Sequence, residues 1–87
     1  MKKAHLKTLA AIFARPTSGN LKWSDIEALF RALGAEVSEG AGSRVRVALN
    51  GVRAVFRRPH PRKEARKYAV EAVRDFLNEA GKTPEQE

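Results

Sequence analysis

The residues on either side of Asn50-Gly51 constrain this chain more tightly than any other stretch. Val45, Val47 and Leu49 alternate with Arg44, Arg46 and Ala48, and Val52, Ala54 and Phe56 continue the alternation beyond the Asn-Gly pair. A period of two is the signature of a strand with one buried face. Asn and Gly both tolerate positive φ, which the two central residues of a type I′ turn require. A two-residue loop sets Leu49 opposite Val52, Val47 opposite Ala54 and Val45 opposite Phe56, with all six on one face. A slip of one residue would turn all of them to water, so this register is strongly specified. The other face carries Arg44 opposite Arg57, Arg46 opposite Val55 and Ala48 opposite Arg53. Like charges directly opposed destabilise a sheet. An anion seated among four arginines explains that face better than stems that cover the sheet while their heads reach water.

The remaining elements follow from the helical period. Leu6, Leu9, Ile12 and Phe13 share one face of a helix over residues 4–14, which the Arg15-Pro16 step ends. Ser24-Asp25-Ile26-Glu27 matches a capping box, in which the serine hydroxyl and the glutamate each satisfy a free backbone N–H. The helix it opens carries Ile26, Leu29, Phe30 and Leu33 as a stripe, and Gly34 stands where a left-handed cap ends it. Residues 35–39 read as a short strand and 40–42 as a turn. Residues 58–63, with two prolines, form a stiff loop. A last helix over 64–80 places Ala69, Val73, Phe76, Leu77 and Ala80 on its stripe, Gly81 closes it, and residues 82–87 are expected to fray. The order predicts one α+β domain over 1–87, with its core in 24–81 and helices segregated on one side of an antiparallel sheet.

The charge is local. Residues 44–67 hold nine of the seventeen basic residues and one acid, Glu64, and carry +8 against a net of +7; the rest of the chain sums to −1. A dense basic patch is the footprint of a polyanion, with nucleic acid first and an anionic protein second. Cysteine is absent, which rules out a disulfide framework and thiolate chemistry and fits a cytoplasmic protein. No apolar run approaches a membrane span, and no secretory leader is expected. Two distant histidines give too few ligands for a metal centre, and no phosphate-binding loop of Walker type is present, so no cofactor is expected.

His5 reads as an exposed helix residue, and Trp23 as a packing anchor at the start of its helix. Tyr68 is a weak candidate for stacking on a base. His60 sits between two prolines inside the basic window and is the side chain there able to accept and return a proton near neutral pH. Its alternative is a loop histidine that contacts phosphate or fixes the turn. If the chain cuts anything, the substrate must supply the nucleophile. RNA does so with its own 2′-hydroxyl, leaving the protein to provide a base, an acid and cations at the phosphate.

From Ile26 to Gly81 the chain resembles the HicA toxin family of bacterial toxin–antitoxin systems. The resemblance rests on Leu33-Gly34-Ala35-Glu36-Val37, Gly42-Ser43-Arg44, the strand pair, Pro59-His60-Pro61-Arg62-Lys63 and Asn78-Glu79-Ala80-Gly81. It implies a double-stranded-RNA-binding-domain-like fold, with helices on one face of a three-stranded sheet; the N-terminal helix is extra to the family pattern. It also implies metal-independent cleavage of messenger RNA, and neutralisation by a HicB-like antitoxin that covers the active site. The family's catalytic residue is the histidine of a Gly-Ser-His step, and Arg44 occupies that position here. A guanidinium stays protonated and cannot be a base, but it holds a phosphate bidentately. Three outcomes stay open: a relative that only binds RNA or antitoxin, transfer of the catalytic role to His60, or a different mechanism in this branch. The residues expected to bind RNA are Arg44, Arg46, Arg53, Arg57, Arg58, Arg62 and Lys63.

Overall fold

The computed structural model describes all 87 residues. In chain order they form α1 (Lys3–Phe13), α2 (Trp23–Ala32), β1 (Glu36–Glu39), β2 (Arg44–Leu49), β3 (Val52–Arg57) and α3 (Lys67–Glu79). The strands make one antiparallel sheet in the order β1-β2-β3. With the helices on one face of that sheet, this is the α+β arrangement expected of a double-stranded-RNA-binding-domain-like fold.

The hairpin has the register that the alternation dictates: Arg44 pairs with Arg57, Val45 with Phe56, Val47 with Ala54 and Leu49 with Val52. Asn50 (φ 51°) and Gly51 (φ 81°) make the left-handed turn. The Asn50 side-chain amide donates to the Ala80 carbonyl at 2.8 Å, which ties the hairpin tip to the end of α3. Both α2 and α3 end in a Schellman motif, in which a positive-φ glycine lets the next N–H reach back. Ala35 N–H donates to Phe30 O and Lys82 N–H to Leu77 O, past Gly34 and Gly81 respectively.

Sixteen buried apolar residues form one core between the sheet and the helices. Its centre is aromatic. Phe30 stacks on Phe56 with ring centroids 5.7 Å apart, and Trp23 and Phe76 meet both rings at steeper angles. Offset and edge contacts of this kind add to the area the rings bury. Trp23 is buried, as expected of a packing anchor.

Several details differ from what the sequence predicts. The helix α2 begins at Trp23, so Ser24 lies inside it and is exposed, and no capping-box bond forms. Glu27 turns inward instead, because an indole N–H and a guanidinium compete for it more strongly than a neutral backbone N–H does. The helix α3 starts at Lys67 and not at Glu64. Glu64 is held in an antiparallel bridge with Lys22, where Trp23 N–H donates to Lys63 O at 2.9 Å and Ala65 N–H to Leu21 O at 2.7 Å. In α1, Leu9 and Ile12 are buried and Phe13 half-buried, but Leu6 faces solvent because the helix meets the core through its C-terminal half. The last residues form a turn, with Gln86 N–H donating to Thr83 O at 2.9 Å and Lys82 paired to Glu87 at 3.6 Å.

The helix α1 packs on α2 and α3 and is locked there by a buried cation. Arg74 of α3 donates from Nε to Ile12 O at 2.9 Å and from one Nη to Ala14 O at 3.3 Å and to the Thr17 hydroxyl at 2.9 Å. The carbonyls at the end of a helix have no helical partner, and a positive charge beside them also complements the helix dipole. The Thr17 hydroxyl donates onward to Glu71 at 3.3 Å. Arg74→Met keeps much of the packing volume but orphans these acceptors. It is expected to lower unfolding stability by about 2–3 kcal/mol, read as a lower urea midpoint. A midpoint equal to that of the parent would remove the lock.

Candidate functional site

Strand alternation sorts the basic window onto two sides of the sheet. Arg44, Arg46, Arg53 and Arg57 all stand exposed on the open face, away from the helices. Val55 stands among them, 59% exposed. None of the four arginines has a carboxylate within 4.0 Å. Four unpaired guanidiniums on one small face give it a strong local positive potential. A shallow hollow on this face is bordered by Glu36, Ser38, Arg46, Arg53 and Val55.

Arg58 does not join them. One residue past Arg57, it points to the helix side and joins three elements. Its Nε and one Nη donate to Glu27 of α2 at 2.7 and 3.1 Å, and its two Nη groups donate to Glu39 of β1 at 2.6 and 2.7 Å. The Trp23 indole N–H also donates to Glu27. Arg58's hydrogen bond holds the Glu27 carboxyl below its ordinary value, against the opposing effect of burial, with Trp23 adding to the depression. The same guanidinium lowers Glu39 through its hydrogen bonds. Arg58 itself is pushed up by Glu39 and then by Glu27. Its charge is therefore compensated inside the protein.

This ion pair fixes one end of the segment that carries His60. Arg58 N–H also donates to Ser43 O at 2.9 Å, extending the β2–β3 pairing one step past Arg57. The Lys22–Glu64 bridge and the buried Ala65 fix the other end. Between these anchors His60 is exposed and lines a cleft of about 230 Å³. Buried Trp23 and Ala65 form its base, and Ser43, Arg57, His60, Arg66 and Tyr68 form its rim. Ser43 and Arg57 also border a second hollow that contains Arg44. The Gly42-Ser43-Arg44 step and the Pro59-His60-Pro61 segment, distant in sequence, thus meet through Ser43 and Arg57.

Arg62 and Lys63 lie outside the cleft. Arg62 turns away and donates to Gly19 O at 3.4 Å, and Lys63 is exposed beside the bridge. Arg66 belongs to the rim, although the helical period counts it within a helix starting at Glu64. Its one sequence signal is its place in the basic window, and the nonlocal bridge that uncovers it leaves no local mark.

A family described as HicA toxin of bacterial toxin–antitoxin matches residues 23–82. The chain belongs to the HicA toxin family. It is the toxin component of a toxin–antitoxin pair, and an antitoxin is its counterpart. No curated protein and no solved structure matches it. The matched span of this HicA chain contains both halves of the cleft, while α1 and the connection after it precede the match. No helix is long and apolar enough to cross a membrane.

The Glu27 arrangement has a pH signature. A carboxyl whose folded pKa is depressed contributes stability that is fully present above its unfolded value and is lost as pH falls through the folded one. Both Glu27 and Glu39 are lowered from 4.5, so the loss begins below pH 4.5 and continues through their depressed folded values. Thermal midpoints measured downward from neutral pH are expected to fall in that window. In Glu27→Gln the midpoint should be lower at neutral pH and the acid decline shallower. An acid decline as steep in Glu27→Gln as in the parent would rule out Glu27 as its source.

Proposed function

We propose that this HicA toxin binds RNA across its arginine face and cleaves messenger RNA at the His60 cleft. The observation that carries the reading is that cleft, in which an imidazole stands with Arg57, Arg66 and Ser43, beside the hollow that holds Arg44. Arg44 has the position of the family's catalytic histidine and acts as a phosphate ligand. Arg44 and Arg57 neutralise the non-bridging oxygens, where charge grows as the phosphorus becomes five-coordinate. His60 takes the proton from the ribose 2′-hydroxyl. The new bond joins that oxygen to phosphorus, the bond to the 5′-oxygen breaks, and the 5′-oxygen leaves with a proton returned by the imidazolium. The products are a 2′,3′-cyclic phosphate and a 5′-hydroxyl. Arg46 and Arg53 carry the flanking backbone over the open face.

The toxin works in the cytoplasm, where its substrate is, and a HicB-like antitoxin competes for the same cations. A second reading, an RNA-binding or antitoxin-binding relative without cleavage, draws on one observation: Arg44 replaces the family's base. Purified protein incubated with long labelled RNA in excess chelator separates the two. His60→Ala is expected to slow cleavage by about 100- to 10,000-fold while RNA binding is retained. Salt-sensitive binding with no cleavage by the parent would establish the second reading. With four arginines on phosphates, log affinity against log salt should fall with a slope of about −3, and Arg44→Ala should make it shallower by about 0.7. A flat response would refute the RNA-binding face.

A further inference from the structure

Tyr68 is the most exposed of the large apolar side chains, at 69%. Trp23, Phe30, Phe56 and Phe76 form the central cluster, and Phe13 packs half-buried against the core. Tyr68 takes part in no ring contact, and its hydroxyl makes no hydrogen bond. Singly scattered apolar side chains need no explanation. Tyr68 is not scattered in that sense. It stands in the second position of α3, on the rim of the His60 cleft, with Arg57 and Arg66 lining the same hollow. The cleft therefore offers a flat π-face beside cations, above an apolar base formed by Trp23 and Ala65.

We infer that Tyr68 is a nucleobase subsite: its ring stacks on one unpaired base next to the phosphate held by Arg57. The inference rests on the RNA reading above and adds to it a requirement for single-stranded RNA. A base within a duplex has both faces covered by its neighbours, so an aromatic ring on the rim of a cleft can reach only a base that has left the stack. Stacking is tolerant of base identity, because every base has a π-face. The subsite thus selects unpaired RNA without selecting a sequence. The guanidinium of Arg66, at the start of α3, lies on the same rim and can add a stacking or cation–π contact to the same base.

The test is equilibrium binding of a short single-stranded RNA, and of its blunt duplex, to the parent, Tyr68→Phe and Tyr68→Ala. The substituted side chain is exposed and makes no hydrogen bond, and unfolding curves for each variant check that the fold is kept. Tyr68→Ala is expected to weaken single-strand binding by about 10- to 100-fold, and Tyr68→Phe by less than about threefold. Duplex binding should change little in either, so the parent's preference for single strands should shrink in Tyr68→Ala.

A series of RNAs, each with one base removed and the sugar–phosphate retained, supplies the coupling. One position should weaken the parent as much as Tyr68→Ala does and should weaken Tyr68→Ala no further. Salt-sensitive binding by the parent that Tyr68→Ala leaves unchanged would overturn the subsite and spare the RNA reading. Losses that add at every position would do the same. Absence of salt-sensitive RNA binding by the parent would overturn both.

Discussion

The guanidinium of Arg58 is the joint on which the rest of the site depends. It faces Glu27 of α2 on one edge and Glu39 of β1 on the other, while its own backbone continues β3 toward Pro59. Arginine suits this place because its planar fork engages two carboxylates at fixed angles, whereas an ammonium acts as a point charge. Glu27 is buried, and a buried carboxylate without its partner is strongly destabilising. Arg58 and the Trp23 indole together satisfy it. Trp23 also belongs to the aromatic cluster with Phe30 and Phe56, so the polar joint and the apolar core share a side chain. Both set the direction in which the chain leaves β3, and His60 follows directly after Pro59.

The basic window therefore does two kinds of work, divided by the parity of the strand. Phe56 and Arg58 face the helices, while Arg53, Val55 and Arg57 face water. Two adjacent arginines thus have opposite fates. Arg57 keeps an uncompensated charge on the open face, and Arg58 is neutralised by two acids. A count of basic residues treats the pair as one patch. The same parity makes Arg44 and Arg57 direct neighbours across the hairpin, an arrangement in which like charges repel.

Local chemistry decides what is legible in the sequence. The hairpin register follows from alternation and Asn50-Gly51, and both glycine helix ends follow from the need for positive φ at Gly34 and Gly81. What local chemistry misses depends on partners far along the chain. Ser24 and Glu27 have the spacing of a capping box, but Arg58, 31 residues on, takes the carboxylate. Glu64 to Arg66 have helical propensity, but Lys22 draws Glu64 into a bridge. Arg74 carries no sequence signal, since an arginine between apolar positions of a helix reads as solvent-facing until the end of α1 is placed beside it. His60 in the cleft and Arg44 in the adjoining hollow stand out by motif and Tyr68 as a candidate stacking ring, whereas Arg66 joins the rim only once α3 begins at Lys67.

The N-terminal extension bears on the cleft through the same nonlocal contacts. Arg74 clamps the end of α1, and from there the chain runs along the segment that carries His60. Thr17 meets Glu71 and Arg74, Gly19 O receives Arg62, Leu21 O receives Ala65, and Lys22 pairs with Glu64. Residues 14–22 therefore brace the far end of the His60 segment, as Arg58 braces the near end. The anchor at Arg74 uses backbone carbonyls and a hydroxyl as its acceptors, so no carboxylate bonds Arg74 directly. Arg74's own acceptors are neutral, whereas those of Arg58 are carboxylates. The two ends of the segment thus differ in how they can be released: one by protonating Glu27 and Glu39, the other by undocking α1.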